Sequence, residues 1–265
     1  MSDSGAPTLG LIGAGAMGRA LVAGIVRGTP AAAAGLRVAD ASPAAAEGAV
    51  AESGGTVTDA ATAAGADLVC VAVKPADLGA VLEAVRPSLL PGAVVLSVAA
   101  GWDLDRLSGA LPGVALVRTM PNLAVRHGAG VVAVAHRGVD GAGRRMLDGL
   151  LAPLGAVVEL PEALFPVATA LAGSGPGLVA VVAEALEEGA VAAGLSRAQA
   201  RPMVAGVIAG TAALLAGGDD PATLRQSVSS PAGTTIEGIA VLERGAVRAH
   251  VADAVRAAAR RAAEL

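Results

Sequence analysis

The chain has 265 residues, room for one large domain or two smaller ones around a real hydrophobic core. Hydrophobic residues make up 54% and charged residues 16%, which excludes a disordered chain, and a net charge of −4 offers no basic footprint for nucleic acid. A single cysteine, Cys70, forms no internal disulfide; without the charged and apolar regions of a secretory leader at the start, a reducing cytoplasm is the expected compartment.

The first β-rich run, Leu9–Ile12, leads into a glycine turn and then an apolar periodic stretch over Met17–Arg27, a βα opening. The turn reads Gly13-Ala14-Gly15-Ala16-Met17-Gly18, which is G-x-G-x-x-G between a strand and a helix. The first glycine permits the tight turn and the second lets a pyrophosphate approach the backbone. The third lets helix and strand pack closely, with free N–H groups aimed at the anion. A plain glycine-rich turn has the same composition, but this placement is the one dinucleotide binding requires.

Further β-rich runs follow at Leu36–Ala39, Asp67–Val73, Ala93–Val98, Ala115–Arg118, Gly130–Ala135 and Val157–Leu160. Helical or turn-rich stretches separate most of them, as parallel crossovers need. The expected fold is an α/β Rossmann domain with a mostly parallel sheet covered on both faces. Asp40 ends the second strand about twenty residues beyond Gly18, where a carboxylate bonds the adenosine ribose 2′-OH and repels a 2′-phosphate. No arginine lies between Arg37 and Arg86 to neutralise such a phosphate, so either NADH or NADPH is expected with NADH favoured. Ser42 and nearby amides offer a phosphate an alternative hold. Lys74, the one lysine, follows the Val71–Val73 strand end, placed for a phosphate or ribose hydroxyl or simply solvated.

After Pro161 the β-rich runs stop, and Ala/Leu/Val/Glu segments take over at Gly177–Ala193, Arg197–Leu215, Pro221–Val228 and from Thr234 to the C-terminus. Ser196 with Gln199 forms a capping box at the start of the second. The domains are therefore expected at 1–160, binding dinucleotide, and 161–265, all-helical. Residues 163–183 and 202–218 carry no charge. The first run is interrupted by Pro166 and Gly173-Ser174-Gly175-Pro176-Gly177 and the second is short for a bilayer, so helices buried in an oligomer core are expected rather than membrane spans. With only Trp102 and Phe165 as aromatics, stacking platforms for bases are lacking.

Several motifs in order carry a resemblance over nearly the whole chain: Gly13 to Gly18, Ala72-Val73-Lys74-Pro75, Ser97-Val98-Ala99-Ala100-Gly101, Arg118-Thr119-Met120-Pro121-Asn122, Gly173-Ser174-Gly175-Pro176 and Ser229-Ser230-Pro231-Ala232-Gly233-Thr234-Thr235-Ile236-Glu237. The chain resembles the pyrroline-5-carboxylate reductases, which carry out the last step of proline synthesis. The resemblance implies a nicotinamide cofactor held at Gly13, Gly15, Ala16, Met17, Gly18, Asp40, Ser42, Ala72, Lys74, Pro75, Ala99, Ala100, Gly101 and Asn122. It implies a helical domain interleaved with that of a second subunit, as a homodimer or a larger assembly of dimers, with the substrate in the cleft they share. Ser230, Gly233, Thr234 and Thr235 are implied as the substrate loop that holds a cyclic imine carboxylate, with Thr235 toward the ring nitrogen as the catalytic side chain.

Independently of the family, Pro231 and Gly233 shape a turn and Thr234-Thr235 open a helix, so N–H donors and hydroxyls converge as an anion nest; a simple helix cap is the competing reading. A protonated imine is already electrophilic, so the protein needs mainly to align the reactants and exclude water. That fits the absence of an acid–base constellation: His127, His136 and His250 are isolated in sequence, Cys70 reads as strand packing, and no metal is expected. Three departures stand out. Leu123-Ala124-Val125-Arg126-His127 replaces the family's Thr-Pro-Ala, Gly177-Leu178 replaces Ala-Tyr after Pro176, and Ala232 stands where glycine is common. The first two keep a related imine open as the substrate. A hydroxyacid dehydrogenase is disfavoured because no lysine follows Lys74, and a non-catalytic dinucleotide binder because it has no use for an anion nest at Ser230–Thr235.

Overall fold

A computed structural model describes residues 6–264. The outermost ends of the two expected domains, residues 1–5 and Leu265, lie outside the described residues. The chain forms two compact units, one running through Gly173 and including the residues from Ala258 on, the other comprising Ser174–Ala257.

The first unit alternates strands and helices: β1 (Leu9–Ile12), α1 (Ala16–Gly28), β2 (Leu36–Ala39), α2 (Pro43–Ser53), β3 (Thr56–Val57), α3 (Ala60–Ala64), β4 (Leu68–Val71), α4 (Pro75–Val85), β5 (Val94–Ser97) and α5 (Leu104–Ala110). Then come β6 (Ala115–Pro121), β7 (Gly130–Arg137), α6 (Gly141–Leu151), β8 (Gly155–Glu159) and α7 (Phe165–Ala168). The eight strands lie in the order β3-β2-β1-β4-β5-β6-β7-β8. Every neighbouring pair is parallel except β6 and β7. The mostly parallel Rossmann sheet expected from the alternating segments is therefore present.

Alternation along the strands explains the two cores. Leu9, Leu11, Leu68, Cys70, Val94, Leu96 and Val117 face α1, α2 and α6, meeting Leu21, Ile25, Ala49 and Leu150. Ile12, Val69, Val71, Val95 and Leu116 face the other way, meeting Leu78, Leu82, Trp102, Leu107 and Phe165. With so few rings, close approach takes the place of bulk. A Cβ at Gly10 would run into the Ala63 carbonyl, so the bare glycine is what lets α3 press onto β1.

Several boundaries differ from the sequence reading. β6 extends through Pro121 because it pairs with β7 as far as Val132. β3 was not anticipated; two residues are too few to show alternation. Leu123–His127 forms a 3-10 turn in which the Asn122 side chain accepts from Ala124 N–H at 3.2 Å.

The second unit carries α8 (Gly175–Ala192), α9 (Arg197–Ala216), α10 (Pro221–Ser227), α11 (Thr234–Arg244) and most of α12 (Val247–Ala263). The capping box is formed as expected, with Ser196 Oγ accepting from Gln199 N–H and the Gln199 amide oxygen from Ser196 N–H. The single segment expected from Thr234 onward is instead two helices. They break at Gly245-Ala246, where Ala246 takes a φ of 52° that cannot continue a right-handed helix. Residues Glu162–Ala192 and Arg197–Ala216 are long and apolar enough, by length and composition, to cross a membrane. The first is interrupted by a π-type turn at Thr169–Gly173.

Candidate active site

The packing around the glycine-rich turn accounts for two of its three glycines. Gly13 takes a φ of 97°, and a side chain there would lie 2.6 Å from the Ala72 carbonyl carbon. A Cβ on Gly18 would run into the Gly13 carbonyl, so helix and strand meet only because both positions are bare. A Cβ on Gly15 would meet open space instead, and Gly15 is among the residues that line a cleft of about 870 Å³. Ala16 and Met17 open α1 directly after Gly15, its N-cap, and no acidic residue lies in that first turn to compete for an anion.

Asp40 closes β2 beside this turn. Its Oδ2 accepts from Ala14 N–H at 2.6 Å and its Oδ1 from Ser42 N–H at 2.8 Å. Each oxygen keeps a lone pair for a further donor such as a ribose hydroxyl. The cleft brings together Gly13, Gly15, Asp40, Ser42, Ala72 and Lys74. Pro75 is the first residue of α4, with Lys74 exposed at its N-cap. Ala99, Ala100, Gly101 and Asn122 do not line this cleft. Ala100 and Gly101 line a smaller cavity of about 230 Å³ together with Arg118, Met120, Glu162 and Thr169. Asn122 is buried, and its amide oxygen is taken up by Ala124 N–H and Val131 N–H.

In the helical unit, Ser230 to Gly233 form a tight turn in which the Ser230 carbonyl accepts from Gly233 N–H at 3.0 Å. Pro231 takes the second position and Ala232 the third, with a φ of 57°, the position that prefers glycine in a type II turn. Gly233 is the N-cap of α11, and a Cβ on it would run into Ser230 Oγ. No side-chain hydrogen bond caps this helix. Thr234 is exposed and Thr235 half-buried in its first turn, with both hydroxyls uncommitted to capping.

Comparison with known proteins agrees with both halves of this description. Residues 162–265 match the pyrroline-5-carboxylate reductase dimerisation family, and residues 8–101 match a family described as NADP oxidoreductase coenzyme F420-dependent. A pyrroline-5-carboxylate reductase from a Synechocystis species is 40% identical over 204 residues, which cover 75% of each chain. The chain belongs to the pyrroline-5-carboxylate reductase family. A Coxiella burnetii pyrroline-5-carboxylate reductase structure superposes with a TM-score of 0.89 at 29% identity, over 97% of this chain and 98% of that one. The Plasmodium falciparum pyrroline carboxylate reductase, solved with NADP bound, gives 0.84 at 26% identity over 97% of both.

Within this pyrroline-5-carboxylate reductase fold, the cleft contains residues that the sequence alone did not single out. Thr58, Asp59 and Asp77 also line it, so three carboxylates, Asp40, Asp59 and Asp77, face it with Lys74 as the one cation among its described lining. Asp59 caps α3, and the bond from Thr62 N–H at 2.7 Å holds its carboxyl below the usual range. The signal for Thr58 and Asp59 was a two-residue strand, too short to recognise. Arg118 and Glu162 were not candidates either, since 44 residues separate them and only the fold brings them together.

Proposed function

We propose that this chain reduces the C=N bond of 1-pyrroline-5-carboxylate to give proline. When bound, the nicotinamide supplies the hydride taken up by the imine carbon, while the ring nitrogen keeps its proton as the amine. The observation that carries the reading is the loop Ser230–Thr235: backbone N–H groups at the start of α11 and hydroxyls that no cap consumes form a receptor for a small carboxylate. In this reading Ser230, Gly233 and Thr234 hold the carboxylate and Thr235 directs its hydroxyl toward the ring nitrogen. A protonated imine needs little acid–base help, so aligning the reactants and excluding water is the main task.

Gly13, Gly15 and Gly18 cradle the pyrophosphate at the N-terminus of α1, with Ala16 and Met17 on the first turn. Asp40, Ser42, Ala72, Lys74 and Pro75 flank the adenosine side, and Ala99, Ala100, Gly101 and Asn122 lie toward the nicotinamide. The three cleft carboxylates favour NADH over NADPH, because a 2′-phosphate would add negative charge beside Asp40. The working unit is a homodimer or an assembly of dimers in a reducing cytoplasm. Val181 on α8 and Met203 and Val207 on α9 are each at least 60% exposed in the isolated chain, apolar surface that a second copy would cover. Stoichiometric formation of proline from pyrroline-5-carboxylate and NADH tests the reaction; NADH binding with no imine-dependent oxidation would leave the chain a dinucleotide binder. Light scattering at low concentration tests the assembly, and a stable, active monomer would overturn it.

A further inference from the structure

The segment that follows β5 is held from three sides. Ser97 Oγ accepts from Ala99 N–H at 3.2 Å, and the Trp102 indole N–H donates to the Pro75 carbonyl at 3.0 Å. Leu104 N–H, at the start of α5, donates to Glu162 Oε1 at 2.9 Å. The same oxygen accepts from Arg118 Nη1 at 3.0 Å, and the Arg118 guanidinium lies 4.3 Å from the centroid of the fully buried Phe165 ring.

This arrangement is mechanically specific. Arg118 lies on β6, two residues before Met120, and its side chain is 13% exposed. Its Nε is buried without a partner, so Glu162 is the carboxylate that offsets the desolvated charge. One carboxylate oxygen thus ties the start of α5, three residues beyond Gly101, to the strand that leads to Met120 and Asn122. Ala100, Gly101, Arg118, Met120, Glu162 and Thr169 surround the small cavity between them.

We infer that Glu162 is a positioning residue for the nicotinamide end of the cofactor, acting through Arg118 and Leu104 N–H to fix the Ala99–Gly101 turn against the end of β6. The inference rests on the proposed assignment of that turn to the nicotinamide side. Glu162 touches no reacting atom; it sets the geometry of backbone that does.

The test compares binding of NADH with binding of ADP-ribose, which lacks the nicotinamide, and adds turnover. Glu162→Gln keeps the length and an acceptor for Leu104 N–H but removes the charge facing Arg118. It should weaken NADH about fivefold and lower kcat about tenfold while ADP-ribose affinity stays within about twofold, since a misplaced turn costs alignment rather than adenosine contacts. Arg118→Met should do the same, Arg118→Lys should recover part of the loss, and the Glu162→Gln/Arg118→Met double variant should be no worse than either single one. Equal losses for NADH and ADP-ribose, additive losses in the double variant, or wild-type NADH binding in Glu162→Gln would each overturn the inference. If Glu162→Gln does not fold, Arg118→Lys against Arg118→Met carries the comparison. A wild type that turns over no imine, with the selective loss of NADH over ADP-ribose binding still seen in Glu162→Gln, would refute the proposed reaction while upholding the role of Glu162.

Discussion

The Asp40 carboxylate accepts the Ala14 backbone N–H at 2.6 Å, so the residue that closes the second strand also holds the glycine-rich turn after the first. In the proposed reading, cofactor choice and loop geometry share one side chain. Asp40→Asn keeps the shape, removes the charge and turns a donor toward one of the two amides. The expected outcome is about a tenfold loss of kcat/KM with NADH and a smaller loss with NADPH, moving the ratio toward NADPH. An unchanged ratio in steady-state kinetics would show that Asp40 has no part in discrimination.

Ala232 sits at a φ of 57° between Pro231 and Gly233, in a position that costs an ordinary residue about 1–2 kcal/mol. Ala232→Gly removes that strain but adds freedom to the unfolded chain worth about 0.5–1 kcal/mol. The net effect expected is a stabilisation of about 0.5–1 kcal/mol. Urea unfolding of the two proteins side by side measures it, and a destabilised glycine variant would mean that the turn is unstrained.

Asp67 gives the fold an acid-sensitive element. Burial works to raise its pKa, but the hydroxyl and backbone N–H of Thr8, at 2.7 and 2.8 Å, together with the Arg37 charge, more than offset this and hold the carboxyl below its ordinary value. A depressed folded-state pKa stabilises fully above the unfolded value near 3.9 and is lost as pH falls through the lower folded value. Asp67→Asn should therefore cost about 1 kcal/mol at neutral pH, with the difference from wild type shrinking below about pH 4. A difference independent of pH would assign the loss to packing instead.

Cys70 lies fully buried in β4, and burial pushes its thiol up to about 12. At about pH 8 only about one thiol in ten thousand is ionised, even before access is considered. Alkylation by iodoacetamide should be undetectable in the native protein and complete in denaturant. Rapid labelling under native conditions would place the strand nearer solvent than its packing indicates.

The glycine-rich turn, the strand series and the change to helices after Pro161 were legible because each is a local pattern: bare positions at fixed offsets, or alternation over four or more residues. The break at Gly245-Ala246 was not, since nothing in an alanine announces a positive φ. Thr58 and Asp59 follow a strand of only two residues, and Asp77 gave no local reason to look toward the cleft. The pairing of Glu162 with Arg118 and Leu104 N–H joins residues distant in sequence, and only the folded sheet brings them together. Ala232 illustrates an intermediate case: its departure from the family's usual glycine was visible, but that the position carries positive φ required the structure.

The central claim is that the Ser230–Thr235 loop receives a cyclic imine carboxylate for reduction, and kcat/KM for pyrroline-5-carboxylate in wild type and Thr235→Val tests it most directly. Valine keeps the branched shape at the start of α11 and removes only the hydroxyl. Loss of one hydrogen bond to a charged partner should lower kcat/KM about ten- to a hundredfold, with NADH affinity changed far less. Wild-type turnover in the Thr235→Val variant would contradict the account and reduce the loop to a helix start.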